Sequence, residues 1–275
     1  MHHDIRPAAK EDIPALVDLW QTCFHDSEAY INLFYAHNFE RMLTLVYECE
    51  GEVVSMLHLM HAAFVNGASQ QDARLIYATG TLPAKRKKGY ISALLNYAKD
   101  LARQQGFALF LKPSNEALTA YYQKFDFTPD AYFRCVSFEA GEPIPIEFSP
   151  LSARDYNRLR DSAFAAYPYV KWEDAHIDWA IRDNAFFGGE TLTFAWQGNT
   201  YFLLGYPEGD TLVVSETNLP PAELKQCSGA LCARFGTKRI LAYLPAFACE
   251  EGERVLSSVV YRNEINNLYV NLILI

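Results

Sequence analysis

No run of apolar residues in this chain approaches the length needed to span a bilayer, and the opening Met1-His2-His3-Asp4-Ile5-Arg6 has none of the apolar stretch of a secretory leader. The expectation is a cytoplasmic protein with no membrane partner. Nor is there a Cys-x-x-Cys pair among Cys23, Cys49, Cys135, Cys227, Cys232 and Cys249, so neither a zinc site nor a disulfide framework is indicated. Reduced thiols are expected, and no metal: two adjacent histidines at a chain terminus, His2 and His3, receive no role. Positive charge is also short. With 24 Lys and Arg against 33 Asp and Glu the net charge is -9, which argues against nucleic acid as partner and would draw in a cationic substrate.

What is present is enough apolar material, 50% of 275 residues, for one large core or two ordinary ones, and the length favours two domains. Asp4-Ile5-Arg6 reads as a first strand, followed by a helix with apolar positions Ile13, Leu16, Val17, Trp20 and Phe24. A second, aromatic-rich segment runs over 27–39. Strands Leu43–Tyr47 and Val53–Leu57 flank the turn pair Glu50-Gly51, the second continuing towards Phe64. Further strands are expected at Arg74–Thr79 and Phe107–Leu111, with Ala131–Phe138 as a closing strand, and the strand, helix, strand succession implies a parallel pair with a right-handed crossover. Gly141-Glu142-Pro143-Ile144-Pro145-Ile146 has linker composition. Beyond it the order of elements begins again: Pro150–Asp155 repeats the step from Pro7 to Asp12, and the hairpin, strand, helix and strand succession returns, ending at Ile240–Tyr243.

The densest signal is Thr79-Gly80-Thr81-Leu82-Pro83-Ala84-Lys85-Arg86-Lys87-Lys88-Gly89-Tyr90-Ile91, which leads from a strand through a basic loop into an amphipathic helix with Leu94, Leu95, Ala98, Leu101 and Ala102 on one side. A charge run in a loop is often no more than a solvated face. Here it sits at a helix N-terminus, where unpartnered N–H groups and the dipole favour an anion, and Gly89 lets ligand oxygens approach closely. A pyrophosphate is the anion this arrangement suits.

Two separated motifs give the N-terminal half, across nearly all of residues 1–140, a resemblance to the GNAT N-acetyltransferase superfamily. The first is Arg86-Lys87-Lys88-Gly89-Tyr90-Ile91, which is similar to the family's phosphate loop except that Ile91 replaces a small residue. The second is Asn115 followed by Tyr122 and Phe127, with Asp126 where glycine is commonest. The wording Thr81-Leu82-Pro83 and the second, loop-less copy further resemble tandem-GNAT proteins of the enhanced intracellular survival acetyltransferase group.

The resemblance implies an α/β fold: a GNAT-type mixed, mostly antiparallel sheet flanked by helices over residues 1–140, followed by a second, degenerate GNAT-like α/β domain over 148–275. It implies acetyl-CoA as donor, a primary amine as acceptor, small and cationic or a lysine, and direct attack in a ternary complex. The pyrophosphate would lie on Arg86, Lys87, Lys88, Gly89 and Tyr90, the pantetheine arm along the strand edge, and the thioester oxygen near the N–H groups of Thr79, Gly80 and Thr81. Asn115 belongs to the same cofactor-binding set, and Tyr122 matches the acid that reprotonates the departing thiolate. By spacing alone Tyr121 and Tyr122 read as core aromatics; the motif register assigns Tyr122 to chemistry, and the two side chains point about 100° apart on a helix. Glu48, Glu50, His58, His61 and the C-terminal carboxylate of Ile275 are all candidates for the base, none preferred.

In the second half, Asn218-Leu219-Pro220-Pro221-Ala222-Glu223-Leu224-Lys225 stands where the basic glycine loop would be, and Pro220 and Pro221 have no N–H to offer. One active site per chain is expected, with the second domain shaping the acceptor cleft, packing a partner subunit in a homo-oligomer, or giving structural support. A different class of reading is an acyl-CoA-binding pseudoenzyme or sensor without turnover, motivated by Ile91, Asp126 and the unassigned base. A third, use of aminoacyl-tRNA, conflicts with the low positive charge.

Overall fold

The computed structural model describes residues 4–247, 249–250 and 252–272, which divide into two compact units. The first comprises the chain up to Ala63, Gln71–Thr128 and Val259–Glu264; the second comprises Phe64–Gln70, Pro129–Ser258 and the chain from Ile265 onward. In chain order the strands are β1 (Ile5–Pro7), β2 (Met42–Cys49), β3 (Glu52–Asn66), β4 (Ser69–Thr81), β5 (Ala108–Leu111), β6 (Thr128–Glu139), β7 (Ser149–Pro150), β8 (Tyr169–Lys171), β9 (Glu190–Trp196), β10 (Asn199–Glu208), β11 (Thr211–Thr217), β12 (Arg239–Pro245) and β13 (Glu253–Tyr261). The helices are α1 (Ile13–Phe24), α2 (Glu28–Asn38), α3 (Tyr90–Gln105), α4 (Glu116–Gln123), α5 (Ala153–Phe164), α6 (Asp174–Phe186) and α7 (Pro221–Phe235). The protein is thus a mixed α/β fold whose sheet is mostly antiparallel and flanked by helices.

In the first unit the strand order is β1-β2-β3-β4-β5. The β2–β3 hairpin turns at Glu50 (φ 57°) and Gly51 (φ 80°), the paired positive φ values of a two-residue turn that twists with its strands. Ser27 caps α2 by accepting from Tyr30 N, and α3 stops at Gly106 (φ 80°), whose N–H returns to Ala102 O. Strands β4 and β5 are the parallel pair, joined through α3, but they pair only over Ala73–Leu75 against Ala108–Phe110. The last residues of β13, Val259–Tyr261, lie antiparallel to β5 on its other side. The expected closing strand β6 therefore does not close the first unit; four-residue β5 has its remaining edge filled by β13.

The core of this unit is aromatic. Trp20 packs against Phe34, Tyr35 and Tyr77 at centroid distances of 4.7, 5.7 and 5.7 Å, beside Leu16, Leu45, Leu57 and Leu94, all buried. His58 is enclosed in it, fully buried, with Nδ1 2.9 Å from Thr44 Oγ1 and Nε2 3.3 Å from Tyr35 Oη. Burial drives its pKa down to about 3, so it is held neutral. Because the unfolded chain binds a proton near the ordinary histidine value and the folded chain does not, stability is lost as pH falls below about 6.5, by about 2 kcal/mol at pH 5. Urea unfolding at pH 7 and pH 5 should show that loss, and His58→Gln should remove most of the pH difference; an equal difference in the variant would assign it to other groups.

The second unit has the order β6-β12-β11-β10-β9-β7 and repeats the pattern, with β11 and β12 parallel and joined through α7. Its core gathers Phe194, Leu203, Leu212, Val214, Leu224, Leu231, Ile240 and Leu244. Here the helix entrance is filled by the chain itself: Leu219 is buried, Pro220 is the N-cap, and Asn218 bonds back to Phe202 N and Thr200 O.

Candidate active site

A cavity of about 580 Å³ opens at the N-terminus of α3. The strand end supplies Thr79, Gly80 and Thr81; the loop supplies Lys85 to Gly89; α3 supplies Tyr90, Ile91 and Ser92. Cys23 and Phe24 from the end of α1, and Leu118 and Tyr121 from α4, complete the wall. The strand is shaped for this role by Ala78, whose φ of 45° puts a left-handed residue inside β4 and turns its end away from β5. Beyond Leu75 the β4 edge facing β5 has no ladder partner among the described residues, and it ends in the cavity. Its other flank is fixed. Ser55 Oγ donates to Gly80 O at 2.8 Å and lies 2.9 Å from Thr81 Oγ1, while Leu82 N donates to Val54 O at 3.0 Å.

Gly80 permits α1 to approach β4 closely, since a Cβ there would stand 3.1 Å from Cys23 Sγ and 3.2 Å from Leu19 Cδ2. Cys23 Sγ in turn donates to Thr81 O at 3.3 Å. The loop begins with a single 3-10 turn at Pro83–Lys85, passes Lys87 at φ 64°, and enters α3 through Gly89 at φ 85°. No side chain caps α3, so the first N–H groups of a sixteen-residue helix face the loop without a side-chain acceptor among the described residues. Two of the four cations are tied down: Lys85 pairs with Glu52 at 3.1 Å, and Arg86 Nε donates to Thr81 O at 3.2 Å. Lys87 and Lys88 line the cavity with no acidic partner among the described residues. Tyr90 packs on Tyr47 at 4.5 Å between centroids with 35° between planes, and its hydroxyl lies 3.6 Å from Cys49 Sγ, a contact that pushes its pKa up to about 12.

Of the residues expected from sequence, Thr79, Gly80, Thr81, Arg86, Lys87, Lys88, Gly89 and Tyr90 come together around this cavity. Asn115 does not line it; its side chain accepts from Leu118 N at 2.9 Å and caps α4, the helix that presents Leu118 and Tyr121. Tyr121 Oη is 3.1 Å from Ser92 Oγ. Tyr122 does not line the cavity either: it is on the buried side of α4, next to lining Tyr121, 8% exposed, its ring edge-on to Phe127 at 6.0 Å, and burial pushes its pKa up to about 12. Asp126 takes φ 63°, which explains why glycine suits that position, and its carboxylate meets Lys99 Nζ at 2.7 Å, the contact that lowers its pKa.

Among the base candidates, His58 is sealed in the core and neutral, Glu48 is engaged by Arg6 Nε at 2.9 Å, Glu50 lies in the hairpin turn, and His61 is exposed on β3. His2, His3 and Ile275 lie outside the described residues. No group of three or more His, Cys, Asp or Glu side chains that could hold a metal occurs among the described residues, and none of their helices is long and apolar enough to cross a membrane. Sequence reasoning missed Cys23, Phe24, Ser92, Leu118 and Tyr121 as cavity residues. Phe24, read as the last apolar position of α1, is 42% exposed at the cavity wall.

This arrangement, a splayed parallel strand pair with a cationic loop at the following helix, defines a class. The family model described as Acetyltransferase (GNAT) domain matches residues 4–129, and this part of the chain is a GNAT acetyltransferase domain. The likeness in fold extends over nearly the whole chain. A GCN5-related N-acetyltransferase from Kribbella flavida is 16% identical with a TM-score of 0.68, covering 94% of this chain and 70% of that one. Eis1 from Mycobacterium abscessus is 12% identical with a TM-score of 0.65, covering 94% and 73% respectively. No curated protein matches the sequence.

Proposed function

We propose that the protein transfers the acetyl group of acetyl-CoA to a primary amine, small and cationic or a lysine side chain, by direct attack in a ternary complex. The observation that carries this reading is the single cavity wall formed by the free end of β4 and the uncapped start of α3, with Lys87 and Lys88 at its mouth. The pyrophosphate lies on the first N–H groups of α3 and the loop cations. The pantetheine amides extend the sheet along β4 beyond Leu75, as an added strand does. This places the thioester at Thr79 to Thr81, where a backbone N–H stabilises the tetrahedral oxyanion by a few kcal/mol.

The amine loses its proton to solvent or to a base on the acceptor side, and its nitrogen forms the new bond to the carbonyl carbon. As the C–S bond breaks, Tyr122 gives its phenolic proton to the thiolate, and the second proton that leaves the nitrogen of the tetrahedral intermediate, passed through water, restores the phenol. With a pKa pushed up to about 12, Tyr122 stays protonated through the whole neutral range, so it contributes no alkaline limb to the rate below about pH 11. In this reading residues 1–140 form the catalytic domain, and 148–275 a degenerate GNAT-like domain without a second donor site.

Release of free CoA thiol with a panel of amines tests the proposal. Turnover with at least one cationic amine is expected, and Tyr122→Phe should lower kcat by about 10²- to 10⁴-fold while leaving acetyl-CoA affinity within about twofold. Binding of acetyl-CoA without transfer to any acceptor, and indifference to Tyr122→Phe, would instead favour a non-catalytic acyl-CoA sensor. Full activity of Tyr121→Phe beside the expected loss in Tyr122→Phe separates the two adjacent phenols.

A further inference from the structure

In a chain of net charge -9, the cavity at the start of α3 carries charge of the opposite sign: Lys85, Arg86, Lys87 and Lys88 stand in its wall, and none of the other lining residues is an acid. Lys85 is neutralised by Glu52, whereas Arg86, Lys87 and Lys88 are exposed to solvent. The same wall holds apolar side chains that are also left in water. Of the three large apolar residues exposed in the first unit, Phe24, Leu43 and Leu118, two belong to it, Phe24 at 42% and Leu118 at 36% exposure. They come from separate helices. Phe24 is the last residue of α1, its ring edge-on to Trp20 at 6.0 Å, and Leu118 lies in the first turn of α4, where its N–H donates to the Asn115 cap. Exposed apolar groups beside unpaired cations complement a partner that offers carboxylates around an apolar centre.

Pantetheine reaches the cavity from two kinds of carrier. In acetyl-CoA it ends in a pyrophosphate, which occupies the loop cations. On a carrier protein it ends in a single phosphate esterified to a serine, which the first N–H groups of α3 and Arg86 can hold. Lys87, Lys88, Phe24 and Leu118 then face whatever the phosphate is joined to. A helix presenting carboxylates about an apolar patch fits that rim, its charges on the lysines and its apolar side chains against Phe24 and Leu118.

We propose that a small acidic carrier protein docks on this rim and donates the acetyl group from its phosphopantetheine arm. The inference rests on the reading of the cavity as the acetyl-donor site. The chemistry is unchanged: the amine nitrogen bonds to the carbonyl carbon, the C–S bond breaks, and the arm leaves as its thiol with the proton that the amine gives up.

Binding of three probes to the intact chain tests this: acetylated holo acyl carrier protein, acetyl-4′-phosphopantetheine, which is the same arm without the protein, and acetyl-CoA. The carrier protein should bind at least tenfold more tightly than the free arm. Phe24→Ser with Leu118→Ser should cost the carrier protein at least tenfold more than it costs the free arm, while Leu43→Ser, outside the wall, leaves the ratio of the two affinities unchanged. Thermal unfolding within a few degrees of the parent shows that the variants fold. If acetyl-CoA and the free arm bind but the carrier protein gains nothing over the arm, or its gain survives the double substitution, this inference is overturned and the donor site stands. Failure of all three probes to bind overturns both. Binding of anionic phospholipid vesicles that depends on Phe24 and Leu118, with no gain from the carrier protein, assigns the rim to a membrane and also overturns the inference.

Discussion

Reversing Lys87 and Lys88 to glutamate together should weaken acetyl-CoA binding at least 100-fold. Both side chains line the cavity at the start of α3, and neither is tied to an acid among the described residues, unlike Lys85 on Glu52. A charge-assisted hydrogen bond contributes about 1.5–3 kcal/mol, so losing two removes at least about 3 kcal/mol, close to 200-fold, before added repulsion. The same change at Lys238, an exposed cation paired with Asp210 in the second unit, should leave affinity within about twofold. Raising salt should weaken binding to the parent and affect the double variant little, because the screened attraction is already gone. Fluorescence or calorimetric titration reads all three. Unchanged affinity in the double variant would place the phosphates elsewhere.

The second large effect is on stability and lies in the other unit. Arg160 of α5 and Glu216 of β11 are both 0% exposed, with Nε 2.9 and 3.1 Å from the two carboxylate oxygens. Tyr156 Oη donates to the same carboxylate at 2.7 Å, and Arg160 Nη1 donates to Val170 O at 2.6 Å. Burial by itself, the largest single influence, would lower the Arg160 pKa, but the charge and hydrogen bond of Glu216 together with Tyr269 and Tyr156 outweigh it and the net direction is upward. Arg160→Met should therefore cost about 3–5 kcal/mol, since it strands a buried carboxylate, whereas Arg160→Met with Glu216→Leu should recover most of that loss. Urea unfolding of the two variants checks this. Equal destabilisation by both would mean that packing around the pair, rather than the stranded charge, sets the cost.

The pair also bears on the proposal that the second unit has no donor site. In the first unit α1 meets the end of β4 at Gly80, leaving a strand end that opens into a cavity. In the second, α5 meets the end of β11 through Arg160 and Glu216, and the short connection to α7 is closed by buried Leu219 and by Pro220 and Pro221. The order of elements is retained, while Pro220 and Pro221 have no N–H to offer and no run of cations precedes α7.

Much of this was readable from residues that carry a local physical constraint. Gly89 and the cations before it marked the start of α3, Glu50-Gly51 marked the hairpin, and Asn115 marked the start of α4. These signals depend on φ, on capping and on charge, which act over a few residues. Ala78 gave no sign of its left-handed φ because alanine has no turn preference, although that one residue helps splay β4 from β5. The antiparallel pairing of Val259–Tyr261 with Leu109–Leu111 was equally invisible, since it joins segments far apart in sequence and β5 alone does not specify its neighbour. Residues such as Leu118 and Tyr121 reach the cavity only because α4 is docked in one rotation, and adjacent Tyr122 turns inward by the same rotation.

We propose a single acetyl-CoA site per chain, built from the end of β4 and the start of α3. Calorimetric titration of the intact chain with acetyl-CoA tests it most directly. Saturable binding with one equivalent per chain is expected, abolished in the Lys87→Glu, Lys88→Glu variant. Two equivalents per chain, or one equivalent that persists in that variant, would contradict it.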